Sequence, residues 1–350
     1  MRATPPALIV LGSLLSAQVG LAQDKYVYVP KKIEASERKN RGWVPKLTLN
    51  LNLSFAHASK VVGAQDGTTL SIGPGIDAGI DYYRAPHEWR TSFTYRLVES
   101  KTPAIDLFVK TVDALKLETI YLYSLESPSW LGPFAQAAVE TSVLPGRDVR
   151  AAPVSYLIKE IDDTVRSETG TELALTRAWS PTTFRQAAGV FAKPYDTKEA
   201  VVEGRLGAGA REAVVRNGFA ITDDAATPTI EVTRLRSYQQ IGVEAYAGAS
   251  GTFLFEQLGQ DRPINYALNV NVMVPLYSSF TANQSALELT NVAIEGKLGV
   301  KIFSWMSLDY ALTIARAPLI VDALQIQNSL VFNLAYTFQP EEPPAPAPAN

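Results

Sequence analysis

From Leu47 to Phe55 the chain alternates without a break. Leu47, Leu49, Leu51, Leu53 and Phe55 take one parity, and Thr48, Asn50, Asn52 and Ser54 take the other. Successive side chains of an extended chain point to opposite faces, so this segment predicts a β-strand with one apolar and one polar face. The pattern then recurs. Leu70, Ile72, Ile76, Ile80 and Tyr82 alternate with Ser71, Gly73, Gly75, Asp77, Gly79 and Asp81, and Trp89, Phe93, Tyr95 and Leu97 alternate with Arg90, Ser92, Thr94 and Arg96. Further strands are predicted over residues 108–125, 132–143, 183–195, 200–214, 240–249, 265–274, 291–302, 307–314 and 325–338. In the last, Ile326, Leu330, Phe332, Leu334, Tyr336 and Phe338 oppose Gln327, Ser329, Asn333 and Thr337.

About twelve such strands predict an all-β chain. A soluble sandwich and a transmembrane antiparallel barrel both use this alternation, and three features favour the barrel. The number is even, as for single-chain bacterial outer-membrane barrels. Numbered from an inward N-terminus, most short links (85–87, 126–130, 196–199, 304–305) fall on one side. The other links (59–67, 100–104, 147–180, 216–237, 278–286 and 317–324), the long ones among them, fall on the opposite side, and 253–263 is the exception. Tyr82, Trp89, Tyr121, Tyr123, Tyr310 and Tyr336 hold apolar parity near strand ends, where an aromatic girdle would lie. Arginine at alternate positions of the third strand cannot face lipid, so the polar parity is assigned to the lumen.

The flanks fit that compartment. Residues 1–22 carry one arginine, an apolar run and Gly20-Leu21-Ala22, the order of a secretory signal cleaved after Ala22. Residues 23–45 form a basic periplasmic leader, 46–338 the barrel, and 339–350 a proline-rich, disordered tail. Residues 147–180 and 216–237 are expected as long outer loops, with a short helix or a protruding hairpin over 156–165. No apolar run after the signal is long enough for a membrane-spanning helix. With no cysteine, disulfides and thiolate sites are excluded. A net charge of -3 with no basic stripe argues against nucleic acid as a partner.

The N-terminal half resembles a known group of proteins. Trp43-Val-Pro-Lys-Leu-Thr-Leu-Asn-Leu-Asn-Leu-Ser-Phe, the Trp89-led third strand, Lys110-Thr-Val-Asp113 before a tyrosine-rich fourth strand and Gly132-Pro-Phe-Ala135 carry the likeness. Together they resemble an uncharacterised "domain of unknown function" family of bacterial outer-membrane β-barrels of Bacteroidetes type. Phe55-Ala-His-Ala-Ser stands where that family has a tryptophan-and-glycine segment. The resemblance implies fold and location, and no activity.

Candidate chemistry is sparse. His57 and His87 fall at opposite ends of the barrel, too far apart to share a metal. Asp162-Asp163 and Asp223-Asp224 lack calcium-loop spacing and read as solvated acids. Gly73-Pro-Gly75 reads as close backbone packing or a bend in the second strand. The informative set is lumenal: Asp77, Asp81, Arg90, Arg96, Lys116, Glu118, Glu140, Arg185, Glu203, Arg205, Arg211, Glu244, Glu295, Lys297 and Lys301. Phe332, Tyr336 and Phe338 resemble the terminal signal read by barrel-assembly machinery, which, with outer-membrane lipid, is the expected partner. Neither catalytic residues nor a cofactor are expected. The first function reading is a narrow pore or transporter for small solutes. The alternative is a structural, envelope-organising barrel that binds a partner through the outer loops or the leader, and an outer-membrane hydrolase using His57 is the remote third.

Overall fold

The computed structural model describes residues 42–58, 67–197, 200–222, 227–254, 263–281, 284–303 and 306–338. Twelve strands close into one barrel. In wall order they are β1 (Gly42–Ala58), β2 (Gly67–Arg84), β3 (His87–Thr102), β4 (Ile105–Tyr123), β5 (Leu131–Thr141), β8 (Thr182–Asp196), β9 (Ala200–Val214), β12 (Tyr238–Leu254), β13 (Pro263–Ser278), β14 (Asn291–Phe303), β15 (Met306–Ala317) and β16 (Val321–Phe338). All neighbours are antiparallel. Closure comes from β1 against β16, with Leu47 opposite Phe338 and Leu53 opposite Phe332. No sheet edge is left in the wall, so its ladder hydrogen bonds are made internally, as a spanning structure requires.

The alternation sorts as a lipid-facing wall needs. On the outside, Leu49, Ile80, Leu117, Val190, Leu206, Ile241 and Leu268 are exposed. On the inside, Lys46, Asn50, Asp77, Asp81, Arg96 and Glu203 are buried. Outside at the end where β1 begins, the Trp43 ring lies 4.9 Å from Tyr82 and 6.1 Å from Trp89, while Trp89 Nε1 donates to Thr119 Oγ1 at 2.6 Å. Nearby, His87 Nδ1 meets the Tyr121 hydroxyl at 2.6 Å. We call this the terminal end, and the opposite one the loop end.

Two details of the wall differ from the sequence reading. Strands run past the length a bilayer needs, so the expected links at 100–104 and 317–324 shrink to tight hairpins at 103–104 and 318–320. The inner face is also not uniformly polar. Ile120 and Leu122 of β4, Phe134 of β5 and Ala187 and Phe191 of β8 are inward, buried and mutually packed. Their parity is that of Lys116, Glu118, Glu140 and Arg185, so one sector of the wall is lined by a small apolar core. The 253–263 link lies largely outside the described residues.

Of the two readings of Gly73-Pro-Gly75, the structure shows close backbone packing: a Cβ on Gly73 would lie 2.5 Å from the Leu97 carbonyl oxygen. The β2–β3 ladder is interrupted between Ile72 opposite Glu99 and Gly75 opposite Arg96, and its register is unchanged across the gap. A Cβ on Gly75 would strike Asn50 Oδ1 and the Arg96 side chain, so glycine makes room for that polar cluster.

The segments expected as loops form a second sheet. Its order is β10 (Phe219–Ile221), β11 (Ile230–Arg234), β6 (Gly146–Lys159), β7 (Val165–Thr176). The β6–β7 hairpin and the β10–β11 hairpin join through a parallel pairing, Tyr156 opposite Ile230 to Lys159 opposite Thr233. Tyr156, Ile158, Leu173, Leu175, Ile230 and Val232 make its core. The hairpin does not protrude freely: Arg234 Nη1 holds Glu160 at 2.9 Å, and Arg236 donates to the Ile161 carbonyl. Those contacts draw its tip back to the rim, where Arg236 also sits 4.7 Å above the Phe280 ring. Hydrogen bonds from Arg234 and Arg166 hold the Glu160 carboxyl below its usual range.

Candidate functional site: the barrel lumen

The sequence-predicted charges separate into three groups. In the first, β1, β2 and β3 build a cluster along one wall. Arg96 Nη2 grips Asp77 at 2.5 Å, Asn50 Nδ2 donates to Asp77 at 2.7 Å, and Lys46 meets Asp81 at 2.5 Å. Asp77 thus receives donors from two neighbouring strands, which offset part of the cost of burying a carboxylate.

The second group crosses the lumen near the terminal end. Arg90 of β3 reaches Glu203 of β9 at 3.0 Å, and Glu88 of β3 takes Lys193 of β8 at 2.6 Å. Three other wall strands separate β3 from β9, so these side chains bridge open interior. Lys193 and Arg205 also approach Glu203, at 3.7 and 3.2 Å. Arg205 donates to Gln136 Oε1, and its guanidinium lies 3.7 Å over the Tyr246 ring. A cation above an aromatic face is attracted by the ring quadrupole, and the effect strengthens once both are dry.

The third group lies mid-strand and toward the loop end. Lys116 pairs with Glu118 at 2.6 Å, Arg185 with Glu140 at 3.0 Å, and Lys297 with Asp309 at 3.5 Å. Glu244 accepts from Asn271 at 2.8 Å, and Arg211 donates to Asn291 at 2.7 Å. Glu295 is half-buried opposite Asn269. The Lys301 position pairs with Ser307, and its side chain lies outside the description. Of the proposed assembly signal, Phe332 is exposed, whereas Tyr336 and Phe338 are described only as backbone positions opposite Leu49 and Leu47.

Several participants were not singled out from sequence. Lys46 and Glu88 hold lumenal parity but lie at strand starts, where too little alternation precedes them to assign a face. Lys193 shares parity with Arg185 but follows the apolar Phe191. Gln136, Gln240, Asn291 and Tyr246 are neutral and gave no charge signal. His87 is placed at the terminal end, as expected, whereas the His57 side chain and Asp223-Asp224 lie outside the described residues. Asp162 belongs to the β6–β7 turn and accepts from Thr164. Among the described residues, no group of three or more His, Cys, Asp or Glu is placed to hold a metal ion.

Solvent access divides the lumen. Lys116, Glu118 and Lys297 keep 29%, 22% and 30% of their side-chain surface, whereas Lys193 and Glu203 keep 7% and 8%. Free space therefore borders Lys116, Glu118 and Lys297 and also Arg90, which keeps 33%, whereas the Lys193–Glu203 contact and the Arg185–Glu140 pair are nearly dry.

No family model and no curated protein matches the chain. Among solved structures it is similar to an outer membrane channel from Pseudomonas putida F1, with 12% identity over 88% of this chain and 100% of that one and a TM-score of 0.38. It is also similar to the translocator domain of the autotransporter NalP from Neisseria meningitidis (9% identity, 85% and 89% covered, TM-score 0.36). A third is the beta domain of the Bordetella autotransporter Brka (8% identity, 85% and 99% covered, TM-score 0.33). Scores of this size carry no argument, and the barrel rests on its own strand pairing.

Proposed function

We propose that the chain is an outer-membrane barrel that passes small polar solutes through a narrow lumen. An apolar outer wall edged by Trp43, Tyr82 and Trp89 supports the membrane seat. The observation that carries the transport reading is the water-accessible charge at Lys116, Glu118 and Lys297. Solvated charge of both signs is what a polar path needs, whereas a salt-bridged plug would use the same charges only to hold the wall. A barrel of about eight strands fills with side chains and one of sixteen holds a channel, so twelve strands with ion pairs crossing the lumen near one end suit a narrow, restricted path. Single-channel recording on the refolded chain tests this reading: small ionic currents are expected, and a silent, correctly folded barrel would end it. Recovery of the protein in the soluble periplasmic fraction, without heat-modifiable migration, would end the membrane seat.

A second reading, an envelope-organising barrel that binds a partner, draws support from the outer sheet. That sheet has its own core, and β7 forms one edge of it with a largely exposed strand. Co-purification of a partner that is lost on deleting residues 146–176, together with absent conductance, would favour it.

A further inference from the structure

Among the described residues, the lumenal cation Arg211 has no carboxylate within ion-pair distance. Arg211 on β9 lies directly opposite Arg185 on β8 and directly opposite Gln240 on β12, so three inward side chains form one row over three adjacent strands. Like charges opposite one another in a sheet repel. Glu140 offsets Arg185 at 3.0 Å. Among the described residues Arg211 has no ion-pair partner, and its Nη1 donates instead to Asn291 Oδ1 at 2.7 Å.

Asn291 passes the polarity on, donating Nδ2 to Gln240 Oε1 at 2.9 Å. Both amide oxygens are consumed in this relay, the Glu140 and Glu244 carboxylates act on Arg211 only from beyond ion-pair distance, and the groups left facing the row are mainly donors. Gln240 Nε2 and Arg185 Nε are buried donors that make no hydrogen bond, and the O–H of buried Tyr238, whose oxygen faces Arg211, has no acceptor. Tyr238 and Gln240 are 3% and 1% exposed, and Tyr238 sits beside the Arg211 guanidinium. Buried donors with no acceptor are costly, and two opposed guanidinium groups add repulsion. A single ligand removes both costs: an oxyanion, which accepts several N–H bonds at once and pairs with guanidinium in plane.

We propose that Arg211, Arg185, Gln240 and Tyr238 form a binding site for the oxyanion of a small solute, a phosphate or a carboxylate, just inside the loop-end mouth. Asn291 is a positioning residue that turns the Gln240 amide donor outward from the relay. The site deepens the pore reading by naming a solute class, and it rests on that reading only for the solute's passage.

The test uses the mature full-length chain refolded in detergent and titrated by calorimetry with inorganic phosphate and with acetate, against chloride at equal ionic strength. Saturable binding of at least one oxyanion is expected, weakened at least about tenfold in Arg211→Gln. Gln240→Glu, which sets a carboxylate opposite Arg211 and satisfies it from within, should abolish binding while heat-modifiable migration is retained. Absence of saturable oxyanion binding by the parent chain, or equal affinity in the parent and both folded variants, would overturn the site. Planar-bilayer recording on the same samples separates the two ideas. Binding without current keeps the site and ends the pore reading, and current without binding does the reverse.

Discussion

The barrel wall and the outer sheet use one strand alternation for opposite solvents. In the wall, Leu117, Val190 and Leu206 face out and Asp77, Arg96 and Glu203 face in. In the outer sheet, Tyr156, Ile158 and Val232 are fully buried, and Arg147 and Glu172 pair at 2.6 Å on the surface. Parity therefore fixes the two faces of a strand and not which face is wet. The surroundings decide that, and single substitutions in the two regions should have opposite effects.

The largest effect is expected inside the barrel. Glu203→Ala removes the carboxylate shared by Arg90, Lys193 and Arg205, leaving buried cations, and should cost about 3–5 kcal/mol. The urea midpoint of the barrel should fall while its current rises, because the bridges across the lumen are lost. An unchanged midpoint and an unchanged current would refute the bridging role. In the outer sheet the equivalent blow is to an apolar residue. Ile158→Ala should cost about 2–5 kcal/mol of that sheet's stability. Amide exchange over residues 146–176 should speed up, and the barrel's heat-modifiable migration should persist.

Arginine scanning of the outer faces gives the sharpest contrast. Leu117→Arg in the wall should cost about 2–4 kcal/mol near the membrane midplane, whereas Leu157→Arg, on the solvent face of the outer sheet, should stay within about 0.5 kcal/mol. Equal penalties, read as the yield of heat-modifiable protein in membranes, would mean that one of the two faces has been assigned to the wrong solvent.

This contrast explains what could be read from sequence. The twelve wall strands were legible because lipid outside and charge inside enforce a strict two-residue period, as from Leu47 to Phe55. The outer sheet was not. Its central pairing joins Tyr156 to Ile230, positions far apart in sequence, and its apolar positions are few among many polar ones. Ile120, Leu122, Phe134 and Phe191 were hidden for a related reason: apolar residues on both faces of a strand erase the alternation. The donor row was half visible, since the charges of Arg185 and Arg211 stand out, but neutral Gln240, Asn291 and Tyr238 acquire their role only through wall register.

The smallest effect concerns a single hydroxyl. Tyr156 donates to Asp148 Oδ2 at 2.8 Å, and burial, helped by that carboxylate, pushes the hydroxyl up to about 12. A tyrosine whose folded value lies above its unfolded value of about 10 holds its proton more tightly when folded. Its contribution is therefore complete below pH 10 and lost as pH rises toward 12. Tyr156→Phe should cost about 1.5 kcal/mol at neutral pH and flatten the alkaline loss of outer-sheet stability. A parallel alkaline loss in the variant would assign it to another group.

The parallel union of β6 and β11 also sets an order in time. Between these strands the chain must leave the outer sheet, descend as β8, turn at the terminal end and return as β9. The β8–β9 hairpin is thus straddled by a sheet that cannot close before both of its legs have crossed. A half-inserted chain has β6 and β7 on hand but no β11 to complete them. Closure of the outer sheet is therefore a late kinetic event, and its protection from exchange should appear only after the wall segment beneath it has been threaded.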